Sequence, residues 1–155
     1  MSEEHWLIKP GIVIKLLGSN HSYLENRALY LAHVVTPGGL KLYLRPFIEE
    51  LATFIKSGSS EAEPYISFAQ TDEARRLGEQ GFNQLLLLIQ QATQENRITG
   101  HALAEILGIN WQVVLRWNMP RADPIHIPGI RRPHIAYSTG VILQNLEWRG
   151  PGVTM

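Results

Sequence analysis

Two periods of apolar residues divide the chain into a β-rich first third and a helical middle. Over residues 40–44, Leu40, Leu42 and Leu44 take one side while Lys41 and Tyr43 take the other, which is the alternation of a half-buried strand. Residues 28–35 precede it across Thr36, Pro37, Gly38 and Gly39, a turn chemistry that joins two strands into a hairpin. The short apolar run 11–17 reads as a further strand, so an antiparallel meander is predicted. His33 falls in mid-strand between Ala32 and Val34 and reads as a hydrogen-bonded core or edge histidine. Pro46 suits the first position of a helix, and Phe47, Ile48, Leu51, Phe54 and Ile55 recur at helical spacing, so this helix is predicted to cover the sheet.

Residues 57–64 are small, polar and acidic, the composition of a flexible connection, and they separate a predicted unit 1–56 from a helical unit 65–118. Thr71 is placed to cap a helix that starts at Asp72, and beyond Gly78 and Gly81 the run 82–89 is strongly apolar. Two shorter helices follow, over 99–107 and 110–117, with Thr99 and Asn110 as N-caps. Gly108 supplies the positive φ of the turn between them, and Ala104 is the small residue that lets the two helices approach. Leu103, Leu107, Ile109 and Val114 fall where inward-facing residues belong, with Trp117 as a last bulky anchor.

This pattern, LAxxLGIxxxxVxRW within 99–117, resembles the helix-turn-helix superfamily in general and matches no particular family. The resemblance implies that the second helix turns Asn110, Trp111, Gln112, Leu115 and Arg116 outward, toward a DNA groove. Asn, Gln and Arg are side chains suited to paired hydrogen bonds with base edges. Trp111 and Leu115 are not, and four residues apart they share one helix face. After Asn118 the prolines at 120, 124, 128 and 133 interrupt two short apolar stretches, which read as a hairpin with its tip at 129–132. In winged helix-turn-helix proteins such a hairpin can carry arginines to the phosphates or into the minor groove, and Arg131 and Arg132 resemble that arrangement. Residues 141–148 read as a strand closing against the hairpin, and 150–155 as a loose tail. No internal repeat or low-complexity tract is visible.

At 155 residues and 45% hydrophobic content the chain can bury a real core. Fourteen basic residues balance fourteen acidic ones, which argues against strong non-specific nucleic-acid binding; residues 81–155 nevertheless carry six Arg against four acids. With no cysteine there is no disulfide framework or thiolate metal site, and the acidic start lacks the features of a signal peptide, so a cytoplasmic protein is expected. The longest purely apolar run, 85–89, is too short to span a bilayer, and no membrane role is expected. HExxH, GxxxxGK[ST], GxGxxG and GxSxG are all absent. Asp123, His126 and His134 have an unspecific metal-ligand spacing, and Glu49 and Glu50 point about 100° apart, so they cannot share an acid-base site. No enzyme, cofactor or metal is therefore expected.

The predicted fold is α+β: an N-terminal β-meander with a covering helix, then a three-helix helix-turn-helix unit, then a short β-rich extension over 119–155. The leading functional expectation is a non-enzymatic DNA-binding regulator or accessory factor. On it, Gln112 and Arg116 reach bases, Asn110 positions the helix on phosphate or base, and Arg121, Arg131 and Arg132 contact phosphate. The alternative is a protein-interaction or assembly module, in which the helix pair is architectural and Trp111 and Leu115 anchor an interface with a protein partner or a second copy.

Overall fold

Pro10 and Gly18 bracket the apolar run 11–17 and fold it as a helix, in place of the expected strand. Proline at the first helical turn brings the right φ without losing a hydrogen bond, and glycine just past the end accepts the left-handed conformation, here φ 62°. So short a run carries no decisive period of its own, and these two punctuating residues decide its conformation.

The structure, a computed structural model, describes residues 5–58 and 63–151. In chain order it holds β1 (Leu7–Ile8), α1 (Pro10–Leu17), α2 (His21–Arg27), β2 (His33–Val35), β3 (Lys41–Leu44), α3 (Arg45–Lys56), α4 (Pro64–Ala69) and α5 (Asp72–Ala92). There follow β4 (Arg97–Thr99), α6 (Gly100–Leu107), α7 (Trp111–Leu115), β5 (Ala122–Ile125), β6 (His134–Ser138), α8 (Thr139–Asn145) and β7 (Glu147–Arg149). Helices beside two antiparallel sheets make the fold α+β. The chain divides into two units, one of Met1–Asn83 with Glu147–Met155 and the other of Gln84–Leu146. The division falls elsewhere than at the expected connection 57–64, of which 59–62 lie outside the described residues, as do 152–155 of the expected tail.

In the first unit the sheet runs β1-β3-β2-β7. The expected hairpin is present, with Val34 opposite Leu42, but its first arm is short because Ala28–Tyr30 forms a 3-10 turn. The expected strand 141–148 is replaced by α8 and β7, and β7 pairs with β2, setting Trp148 opposite Val34. In β7 the exposed Glu147 and Arg149 flank a buried Trp148, so the strand period is confined to this short segment. Phe47, Ile48 and Leu51 of α3 are buried, as the helical spacing predicts, whereas Phe54 and Ile55 stay half-exposed.

Gly78 and Gly81 do not interrupt α5, which is continuous from Asp72 to Ala92 and whose Thr71 hydroxyl accepts from the Ala74 N–H at 3.1 Å. Gly81 is there for close approach. A Cβ at this position would lie 2.5 Å from Leu44 Cδ2 and 2.9 Å from Trp148 Cη2, so the missing side chain makes room for the buried indole.

The second unit repeats the order of the first. Strand, helix, helix, strand, strand, helix describes β1-α1-α2-β2-β3-α3 and equally β4-α6-α7-β5-β6-α8, with sheet orders β1-β3-β2 and β4-β6-β5. Each helix pair turns on the same four-residue corner, Leu17-Gly18-Ser19-Asn20 in one and Leu107-Gly108-Ile109-Asn110 in the other. Both glycines are left-handed, at φ 62° and 71°, and each asparagine Oδ1 accepts a backbone N–H of the next helix at 2.9 Å. Val13 and Leu103 are buried before the corner, Leu24 and Val114 after it. An internal repeat therefore exists that the residue pattern alone did not display.

His33 is 1% exposed in β2 and donates through Nδ1 to Leu31 O at 2.7 Å. Burial, opposed by that hydrogen bond, holds its pKa below the ordinary 6.5. The unfolded chain thus binds the proton more readily, and stability should be full above that value and fall as pH drops below it. Thermal denaturation from about pH 7.5 to 5.5 should show this fall, and His33→Gln should remove the part of the slope due to one proton. For the indole pocket, Gly81→Ala should lower stability by about 1–3 kcal/mol in urea melts, because overpacking against Trp148 outweighs the gain in helix propensity.

Candidate nucleic-acid interface

The helix pair of the second unit is built as its residues predict. Thr99 Oγ1 accepts the Ala102 N–H at 3.0 Å and starts α6, Gly108 ends it, and Asn110 starts α7. Leu103, Ala104, Leu107, Ile109 and Val114 are all buried. Gln112 and Arg116 are exposed on the outer side of α7, and Asn110 is exposed at its start. The Asn110 Oδ1 is occupied by the cap, which leaves its amide nitrogen as the group able to donate to a ligand.

Trp111 and Leu115 are half-buried. The indole of Trp111 is stacked on His101 of α6, ring centres 4.3 Å apart and planes 29° apart. His134 of β6 lies on His101 in turn, at 4.6 Å. Gly100 lies against this stack: a Cβ there would sit in ordinary van der Waals contact with Trp111 Cε3 at 3.7 Å and Tyr137 Cε2 at 3.4 Å. The cover over Trp111 is therefore a side chain of its own unit. His101 was not legible as part of the surface, because α6, α7 and β6 meet there only through the fold.

The hairpin expected after the second helix is present as β5 and β6, with Ile125 opposite His134. Arg97 of β4 holds it, donating through Nη1 to the carbonyls of Asp123 and Pro124 at 2.8 and 3.1 Å and through Nη2 to Glu95 at 3.2 Å. The loop from His126 to Pro133 contains a turn closed by Ile130 N–H on Ile127 O at 3.0 Å, and Arg131 and Arg132 stand exposed beside it. Arg121 is exposed at the other end of β5, next to the chain leaving α7. The four arginines thus fall into two groups, Arg116 with Arg121 along the exit from α7, and Arg131 with Arg132 at the hairpin tip. Asp123, His126 and His134 do not gather: among the described residues no three His, Asp or Glu side chains are placed to hold a metal ion.

Ion pairing separates these arginines from the rest. Arg27, Arg45, Arg75, Arg76, Arg97 and Arg149 each meet a carboxylate, namely Glu63, Glu49, Asp72, Glu73, Glu95 and Glu147. Among the described residues Arg116, Arg121, Arg131 and Arg132 have no such partner. The corresponding outer helix of the first unit, α2, offers His21, Ser22, Glu25 and Asn26 to solvent, with Glu25 paired to Lys41 at 2.8 Å and Arg27 drawn onto Glu63 at 2.9 Å and the Tyr23 ring at 3.6 Å. Comparison of the chain with protein-family models, curated proteins and solved structures finds no match. Among the described residues no helix is long and apolar enough to cross a membrane.

Removal of the second cap, Asn110→Ala, should cost about 1 kcal/mol of stability, and Asn20→Ala about the same, since each side chain accepts a backbone N–H at the start of its helix. Chemical denaturation followed by circular dichroism measures both.

Proposed function

We propose that the second unit is a winged helix-turn-helix module that binds DNA, and that the chain acts as a non-enzymatic regulator or accessory factor. The observation that carries this reading is that, among the described residues, Arg116, Arg121, Arg131 and Arg132 meet no carboxylate while the other six arginines each do. Exposed guanidinium groups without internal partners keep all their donors for phosphate or base edges. The element order helix, strand, helix, helix, strand, strand over α5 to β6 supports the reading, with α7 and the hairpin tip as its two contacting parts. Within Gln84–Leu146 five arginines stand against Glu95, Glu105 and Asp123, so this unit is positively charged although the whole chain is neutral. Gln112 and Arg116 are the base-reading pair in this scheme, and Arg121, Arg131 and Arg132 the phosphate contacts.

Fluorescence anisotropy with random-sequence duplex DNA at about 50 mM salt, followed by selection from a randomised pool, tests the proposal. Arg116→Gln should weaken binding to a selected site by about 1–3 kcal/mol, while Arg131→Gln and Arg132→Gln should weaken all sequences alike and each lower the salt slope by about 1. Arg149→Gln, which removes a group already paired with Glu147, should do neither. Absence of binding at that salt defeats the proposal. In that case a change of oligomeric state on Trp111→Ala with Leu115→Ala would assign the face to a protein partner.

A further inference from the structure

Three rings are packed in a row where α6, α7 and β6 meet: His134, His101 and Trp111, with successive centres 4.6 and 4.3 Å apart. Two imidazoles so close cannot both carry a proton without strong mutual repulsion. The indole on the far side favours a cation on His101, because its ring face is electron-rich and the two rings are stacked. The stack is therefore poised between these opposing influences. Of its other neighbours, β5 sets the apolar Ile125 opposite His134, and α7 contributes the uncharged Trp111. Glu105 lies one turn along α6 from His101 on the same side of the helix. Burial and then the neighbouring His134 hold the His101 pKa below the ordinary 6.5, which disfavours the charged form of this ring in the unbound protein.

We propose that His101 and His134 are further contact residues of this interface, which take up protons as a nucleic-acid phosphate docks beside Trp111. The inference rests on the DNA-binding reading of the second unit. Their position supports it: His101 is exposed in the first turn of α6, and Trp111 opens α7, the helix that carries Gln112 and Arg116. A phosphate anion near the two rings offsets the repulsion between them and favours proton uptake by the pair. Binding and protonation are then reciprocally linked, so that each tightens the other. The arginines stay charged throughout this range and give no such dependence.

The test is the affinity of the full chain for a random-sequence duplex, by anisotropy at constant salt, at about pH 7.5 and about pH 5.5, on either side of the ordinary imidazole value. Circular dichroism at each pH follows the fold. Affinity should rise by about tenfold across this range, the effect of one proton taken up over part of its titration. His101→Gln and His134→Gln should each flatten the dependence, and either variant alone suffices if the other fails to fold. His126→Gln, which alters the imidazole in the hairpin loop, should retain it. A wild-type affinity that does not change with pH overturns the proposal, as does a dependence that survives in both stack variants or disappears with His126. All three results leave the DNA-binding reading intact. Absence of binding at both pH values overturns that reading and this inference with it.

Discussion

A left-handed glycine followed two residues later by a capping asparagine determines the course of both helix pairs. At φ near 60–70° a side chain costs about 1–2 kcal/mol, so Gly18 and Gly108 are the points at which the first helix of each pair stops. The asparagine then satisfies an otherwise open backbone donor and starts the next helix at once. Everything beyond the corner inherits its direction. Leu24 and Val114 are turned into their cores by it. The two corners share a left-handed glycine and an asparagine cap and support different surfaces. In one the outward side chains are His21, Ser22, Glu25 and Asn26, and in the other they are Gln112 and Arg116.

The second corner was legible in the residues because each of its parts has one physical role: the glycine, the two caps, and four apolar positions at helical spacing that all prove buried. The first corner was hidden, although it shares Leu, Gly and Asn at the same spacing. Its leading helix begins at a proline instead of a hydroxyl cap, and its apolar residues Ile12, Val13 and Ile14 are adjacent and β-branched, which imitates a strand. Likewise 141–148 combines one helix and one strand in a run too short for either period to show. Within the candidate interface, the exposed arginines and the cap at Asn110 could be read from residue type and position. The ring stack could not, because His101, Trp111 and His134 belong to three elements whose meeting depends on tertiary packing.

Net neutrality hides a marked unevenness. Carboxylates are placed within three or four residues of Arg45, Arg75 and Arg76, and two residues from Arg97 and Arg149, so local sequence already answers those charges. Arg27 is answered at long range by Glu63. Between Arg116 and Arg132 the one carboxylate is Asp123, and it forms no ion pair among the described residues. Exposed pairs of this kind add little to stability, about 0–1 kcal/mol each. Their consequence here is for the electrostatic field: six arginines are muted, and the four arginines without an ion pair among the described residues gather in one stretch of chain.

The sheet of the first unit has its fourth strand supplied by Glu147–Arg149, while the intervening Gln84–Leu146 forms the second unit. On the ribosome, β2 therefore emerges long before the strand that completes its edge. Until Trp148 arrives, the space left by Gly81 beside Leu44 has no occupant and the β2 backbone has an open side. The second unit, by contrast, is made from one unbroken stretch of chain. The first unit thus depends on a late segment for its last strand, and the second does not.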